Sequence, residues 1–181
     1  MSDSFITIVP TRVTADEVTE ISKRTIDWLT KREIISQNLT DCVLGQNKGY
    51  SPGPKYNDIV DDINYELKKL KTNGLEIIIN RQVFHNGENG LNEIRFQKCG
   101  ANNIDSDWGE IIDSWDNKEN DVLKCSECNN ETSITNYDFR PKWGFGEFGL
   151  TFWNWPNLKN DFMDDLKRFL NKDIEMIYGR L

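Results

Sequence analysis

The chain has one histidine, His85, in 181 residues. A single imidazole is scarce material for nucleophile–base catalysis and for a histidine-rich metal site. No apolar run approaches the roughly 20 residues that a membrane-spanning helix requires. The opening Met1-Ser-Asp-Ser4 carries no basic stretch, and Phe5–Pro10 is too short for the apolar region of a signal peptide. A cytoplasmic protein is therefore expected. No phosphate-binding Walker loop, no dinucleotide-binding unit and no H-E-x-x-H is present. Gly144-Phe-Gly146 is too short a glycine pattern to hold a phosphate. Positive charge is also in deficit: 22 Lys and Arg stand against 30 Asp and Glu, a formal net charge of −8. Nucleic-acid affinity comes largely from neutralising phosphates, so this balance disfavours DNA or RNA as the main partner.

What is present suits a soluble globular chain. Hydrophobic residues make up 37% and charged residues 29%. Six Trp and nine Phe supply large core pieces. The length fits one domain, spanning 1–181, that needs no disulfide staples. The four cysteines, Cys42, Cys99, Cys125 and Cys128, are expected as thiols or metal ligands in a reducing compartment.

Phe5-Ile-Thr-Ile-Val9 reads as a first strand. A helix follows, with Thr14 and Glu17 as a capping box, and runs to about Lys31. Gln37–Lys55, rich in Gly, Pro, Asn and Ser, reads as a long loop, a feature often tied to function. The spacing of Ile59, Ile63, Leu67 and Leu70 predicts a helix over Asn57–Lys71. Strands are expected at Leu75–Asn80 and Leu91–Phe96, with a turn at Asn86–Gly90 between them. Trp108, Ile111, Ile112 and Trp115 mark one face of a short helix. A strand within Gly146–Trp155, a helix over Asp161–Asn171 and a strand from Ile174 to Tyr178 close the chain. This order predicts an α+β fold, a ferredoxin-like split βαβ sandwich with Phe5–Val9 and Gly149–Trp155 as parallel central neighbours. Residues 91–142 would then be an acidic, zinc-ribbon-like insert.

Cys125-Ser-Glu-Cys128-Asn129 has the spacing with which two thiolates grip one tetrahedral ion, and Asn tolerates the positive φ needed after the second ligand. Phe96-Gln-Lys-Cys99-Gly100 repeats that pattern with Phe96 at the place of a fourth ligand. Three readings stand open. Cys99, Cys125 and Cys128 retain zinc with a ligand from elsewhere, such as Asp105 or water. Alternatively, the ribbon folds without metal and Phe96 fills the space with apolar bulk. The third is a redox pair at Cys125 and Cys128, which the surrounding acids disfavour by raising thiol pKa.

Seven acids and one base lie between Ala101 and Asp121. They form a solvated face or a docking surface for a basic protein, with Asp107, Glu110 and Asp113 as candidate contacts. The aromatic stretch Trp143–Pro156 is a core strand or, through Trp143 and Trp155, the lining of a binding groove. Asp41 and Cys42 in the long loop are the alternative, an enzyme of unknown class.

Phe5-Ile-Thr-Ile-Val-Pro-Thr11, Thr40-Asp-Cys-Val-Leu-Gly45, the paired knuckle positions and Phe148-Gly-Leu-Thr-Phe-Trp-Asn-Trp-Pro156 together resemble uncharacterised bacterial proteins of this length. The knuckles also resemble zinc ribbons in general, in which paired Cys-Pro-x-Cys-Gly turns bind structural zinc. That resemblance implies ligand roles for Cys99, Cys125 and Cys128, and Phe96 departs from it. The expectation is a non-enzymatic, immunity- or adaptor-like binding protein for a basic partner.

Overall fold

Alternation along Ser4–Pro10 sends Ile6 and Ile8 to one side of a strand and Phe5, Thr7 and Val9 to the other, and both sides find cover. In the computed structural model, which describes residues 2–87 and 90–181, this strand, β1 (Ser4–Pro10), lies inside a six-stranded sheet. Its other members are β2 (Ile35–Thr40), β3 (Gly49–Pro52), β4 (Leu75–Ile78), β11 (Gly149–Trp153) and β12 (Ile174–Arg180), in the order β12-β1-β11-β4-β3-β2. Helices α1 (Val18–Lys31) and α3 (Asn160–Leu170) cover one face.

All neighbours in this sheet are antiparallel, which corrects the expected parallel contact between the first strand and β11. The reason lies in the crossovers. The connection through α3 carries β11 to β12 two places away in the sheet, so those strands share a direction and β1 fits between them in the opposite one. Phe5 faces Trp153 and Ile8 faces Leu150 in the resulting register.

The capping box at α1 forms in part. Glu17 accepts the Thr14 N–H and the Thr14 hydroxyl, each at 3.0 Å, and Lys172 reaches it at 3.1 Å. The Thr14 N–H and then Lys172 hold the Glu17 carboxyl below its usual pKa. Trp28 of α1 stacks on Phe169 of α3 at 4.7 Å, and the Arg32 guanidinium lies 4.6 Å from the Trp28 ring.

Two other expectations fail on local chemistry. The Asn57–Lys71 helix is replaced by two single turns of 3₁₀ helix, Tyr56–Ile59 and Leu67–Lys69. The Asp62 side chain accepts the Asn64 N–H at 3.0 Å, an Asx turn that competes with helix, and Ile63 points to solvent. The Gln37–Lys55 stretch is largely the β2–β3 hairpin rather than an open loop. Of the expected Asn86–Gly90 turn, residues 88 and 89 lie outside the described residues.

Residues 91–142 supply β6 (Glu93–Arg95), α2 (Trp108–Asp116), β7 (Val122–Lys124), β8 (Glu131–Ser133) and β9 (Asp138–Arg140), paired β6–β9 and β7–β8. Their buried residues form a second apolar cluster around Ile94, Trp115, Ile134 and Phe139. The antiparallel pair β5 (Gln82–Phe84) and β10 (Gly144–Gly146) adds Val83 and Phe145 to it, while Gly144 lies against Val9 and Ile177 of the main sheet and so links the two.

Gly179 sits directly opposite Phe5 across the β1–β12 ladder, and a Cβ there would run into the Phe5 ring. We expect Gly179→Ala to lower stability by about 1–3 kcal/mol through overpacking. Gly109→Ala, in open space on α2, should raise stability by up to about 1 kcal/mol. Denaturant titration checks both, as a shift of midpoint at constant slope; equal midpoints for the two variants would contradict the packing argument.

Candidate metal centre

Each of β6 and β7 runs into a tight turn, and the two turns are built alike. In the first, the Phe96 N–H donates to the Ala101 carbonyl at 2.9 Å and the Gly100 N–H donates back to the Phe96 carbonyl at 2.8 Å. In the second, the Cys125 N–H donates to the Asn130 carbonyl at 2.9 Å and the Asn129 N–H to the Cys125 carbonyl at 3.1 Å. Gly100 and Asn129 both take positive φ, 74° and 58°, as such a turn requires. Phe96 and Cys125 are therefore equivalent positions, and so are Cys99 and Cys128.

The turns face one another. The sulfurs of Cys99, Cys125 and Cys128 all lie within 4.8 Å of one another, with Cys99 and Cys125 at 3.5 Å. Zn–S bonds of about 2.3 Å in a tetrahedron place sulfurs about 3.8 Å apart, so the donor set fits a zinc-sized ion. Among the described residues no fourth His, Cys, Asp or Glu joins the cluster. Phe96, at the position equivalent to Cys125, has a buried ring that leans on Tyr137 at 5.2 Å. His85 is elsewhere, with its Nδ1 accepting the Gly87 N–H and its ring against Trp143.

Two asparagines that motif spacing does not flag hold the sulfurs in place. Asn103, almost fully buried, donates to the Ala101 carbonyl at 3.0 Å and accepts the Ser126 N–H at 2.8 Å, which ties one turn to the other. Its amide also lies 3.9 Å from the Cys125 sulfur. Asn130 donates to the Cys128 sulfur at 3.3 Å, while Lys98 fixes its oxygen at 3.1 Å. The Asn130 side chain, and then its backbone N–H, lower the Cys128 thiol to about 7. At Cys99 the Ala101 N–H acts in the same direction but is outweighed by desolvation and the neighbouring thiols, so that pKa rises. Desolvation pushes the Tyr137 phenol, which donates to the Leu123 carbonyl, up to about 12. The asparagine doublets that follow the first turn and close the second, Asn102-Asn103 and Asn129-Asn130, are the sequence trace of this support.

The other candidates scatter. Asp107, Glu110 and Asp113 are exposed on and beside α2, and among the described residues no ion pair engages them. Asp105 is exposed as well and outside the sulfur cluster. Trp155 is not a groove residue: it is buried in the main core, its indole donating to the Asn73 carbonyl at 2.8 Å. Trp143 belongs to the second cluster, stacked on Phe139 at 5.3 Å and bonded to Asn86 at 2.7 Å. Cys42 is buried beside Val43 and Trp153, and Asp41 points to solvent near Lys48. Among the described residues the Cys42 thiol and the His85 imidazole share no hydrogen bond.

Two glycine patterns also resolve as strand. Gly49-Tyr-Ser51-Pro-Gly53 matches G-x-S-x-G, yet Ser51 lies within β3 and shares a hydrogen bond with Thr40 at 2.7 Å, not at a strand-to-helix elbow. Gly144, Gly146 and Gly149 match G-x-G-x-x-G, yet they sit in β10 and β11 with no helix opening after them until Asn160.

Comparison with protein families, with curated proteins and with solved structures finds no match.

Alkylation of the metal-free protein at pH 7 should modify Cys128 first, because its pKa near 7 gives it the largest thiolate fraction. Peptide mapping by mass spectrometry reads the order. Faster labelling of Cys99, the most exposed of the three, would contradict the assignment.

Proposed function

We propose that the chain is a binding protein whose residues 91–142 form a zinc-ribbon-like unit, closed by an ion on Cys99, Cys125 and Cys128, that offers an acidic surface to a basic protein. The observation that carries this reading is the convergence of three thiols from two turns of identical hydrogen-bond pattern. Zinc suits the thiolate set and would act as a structural cross-link between the turns, not as a catalyst. The second cluster is small, and its strands have only three residues each. An ion tying β6 to β7 would add what so small a core lacks.

The strand order supports a finer reading of the body. β1, β4, β11 and β12 stand in the sheet as fourth, first, third, second in chain order, alternating in direction. We read this as the split βαβ arrangement of ferredoxin-like folds, extended at one edge by the β2–β3 hairpin. The docking reading rests on charge: Asp107, Glu110 and Asp113, with Asp105, Asp116 and Glu119, remain exposed around α2. Their field favours encounter with a basic surface and repels phosphate.

Cobalt(II) titration followed by optical absorption tests the centre. Thiolate charge-transfer bands are expected in the native chain and should vanish in Cys125→Ser. Phe96→Cys should bind at least roughly tenfold tighter, since it supplies the missing fourth thiolate. Phe96→Cys affinity equal to the native value would overturn the assignment of the fourth place. For docking, a Lys/Arg-rich peptide should bind with an affinity that falls as salt rises. Asp107→Asn/Glu110→Gln/Asp113→Asn should weaken it several-fold; an unchanged affinity in that variant removes α2 from the interface.

A further inference from the structure

The face of the sheet opposite the two helices carries a polar row inside an apolar wall. Cross-strand register puts Thr7 of β1, Thr151 of β11 and Glu76 of β4 side by side, all three buried. The two threonine hydroxyls share a hydrogen bond of 2.9 Å. Glu76 is only 8% exposed. Its carboxyl accepts from the Asn47 amide at 2.7 Å and from the Trp153 indole at 3.0 Å. Both donors are neutral, and among the described residues no Lys, Arg or His pairs with it. A buried carboxylate with no counter-charge is costly to keep.

This row floors a cavity of about 270 Å³ that opens to solvent beside the exposed His85 and Leu181. An engineered cavity of about 150 Å³ is enough to bind benzene. The walls are aromatic. Phe5 and Trp153 meet at 5.3 Å with tilted rings, and Phe84 closes another side. Glycines make this possible. A Cβ at Gly149 would run into the Phe84 ring, as one at Gly179 would into Phe5, so both rings lie down on bare backbone.

We propose that this cavity binds a small organic ammonium ion bearing an apolar group, with Glu76 as its counter-ion. Ring faces attract a cation, and an enclosed carboxylate attracts it more strongly than one in water. A hard metal ion does not fit, because it needs six or more oxygen ligands and Glu76 is the only acidic side chain among the described lining residues. Each Glu76 oxygen already holds one donor and keeps a further lone pair, enough to accept from an ammonium N–H. The site is separate from the three thiols and does not depend on metal there.

Isothermal titration of the full chain with benzylammonium chloride, and with benzyl alcohol as a neutral isostere, tests the proposal. Benzylammonium should bind at least roughly tenfold tighter than the alcohol. Glu76→Gln keeps an acceptor for the indole and should abolish that preference. The comparison of the two ligands on the native chain stands even if the variant fails to fold. Equal affinities on the native chain, no benzylammonium binding at millimolar concentration, or an unchanged preference in folded Glu76→Gln would each overturn it.

Discussion

Every residue of β11, from Gly149 to Trp153, is buried, and a strand in that position has to be satisfied on both faces at once. Leu150 and Phe152 pack into the helix-covered core. Gly149, Thr151 and Trp153 face the other way, towards Phe84, Thr7, Glu76 and Phe5. The strand is thus a partition. On one side it organises a large apolar core, and on the other it forms the floor of a cavity with polar groups in it. The short segment after β10 connects this partition to the second cluster, where the thiols converge.

The two clusters solve the problem of stability differently. The main core draws on aromatic and aliphatic side chains from the sheet and both long helices. The second core has short elements, α2 and three-residue strands, and the buried Asn103 amide ties its two turns together. Asn103 donates to one turn and accepts from the other, so its loss would remove the hydrogen-bonded link between them. The three convergent thiols of this core could bind a metal ion, and the position equivalent to Cys125 in the other turn holds the Phe96 ring.

Local patterns were readable from the chain wherever one segment determined its own structure. The β1, β11 and β12 strands, the amphipathic α1 and α3, the α2 stripe of Trp108, Ile111, Ile112 and Trp115, and both cysteine turns are of this kind. The positive φ at Asn129 was legible for the same reason. Features that arise from long-range register were not. Thr7, Glu76 and Thr151 form one polar row, yet Thr7 and Thr151 are separated by 144 positions in the chain and no motif links the three. The Asn57–Lys71 stretch carries a helical spacing of apolar residues, but Asp62 spends its side chain on an Asx turn and Ile63 is left outside. The direction of β11 depended on how far each crossover travels in the sheet, which hydrophobic periodicity does not report.

Zinc K-edge X-ray absorption on protein loaded with one equivalent of zinc addresses the convergence of the thiols most directly. Three sulfur neighbours at about 2.3 Å, with a single lighter atom completing the shell, are expected for an ion held by Cys99, Cys125 and Cys128. A shell with one sulfur or none would show that the two turns do not share an ion.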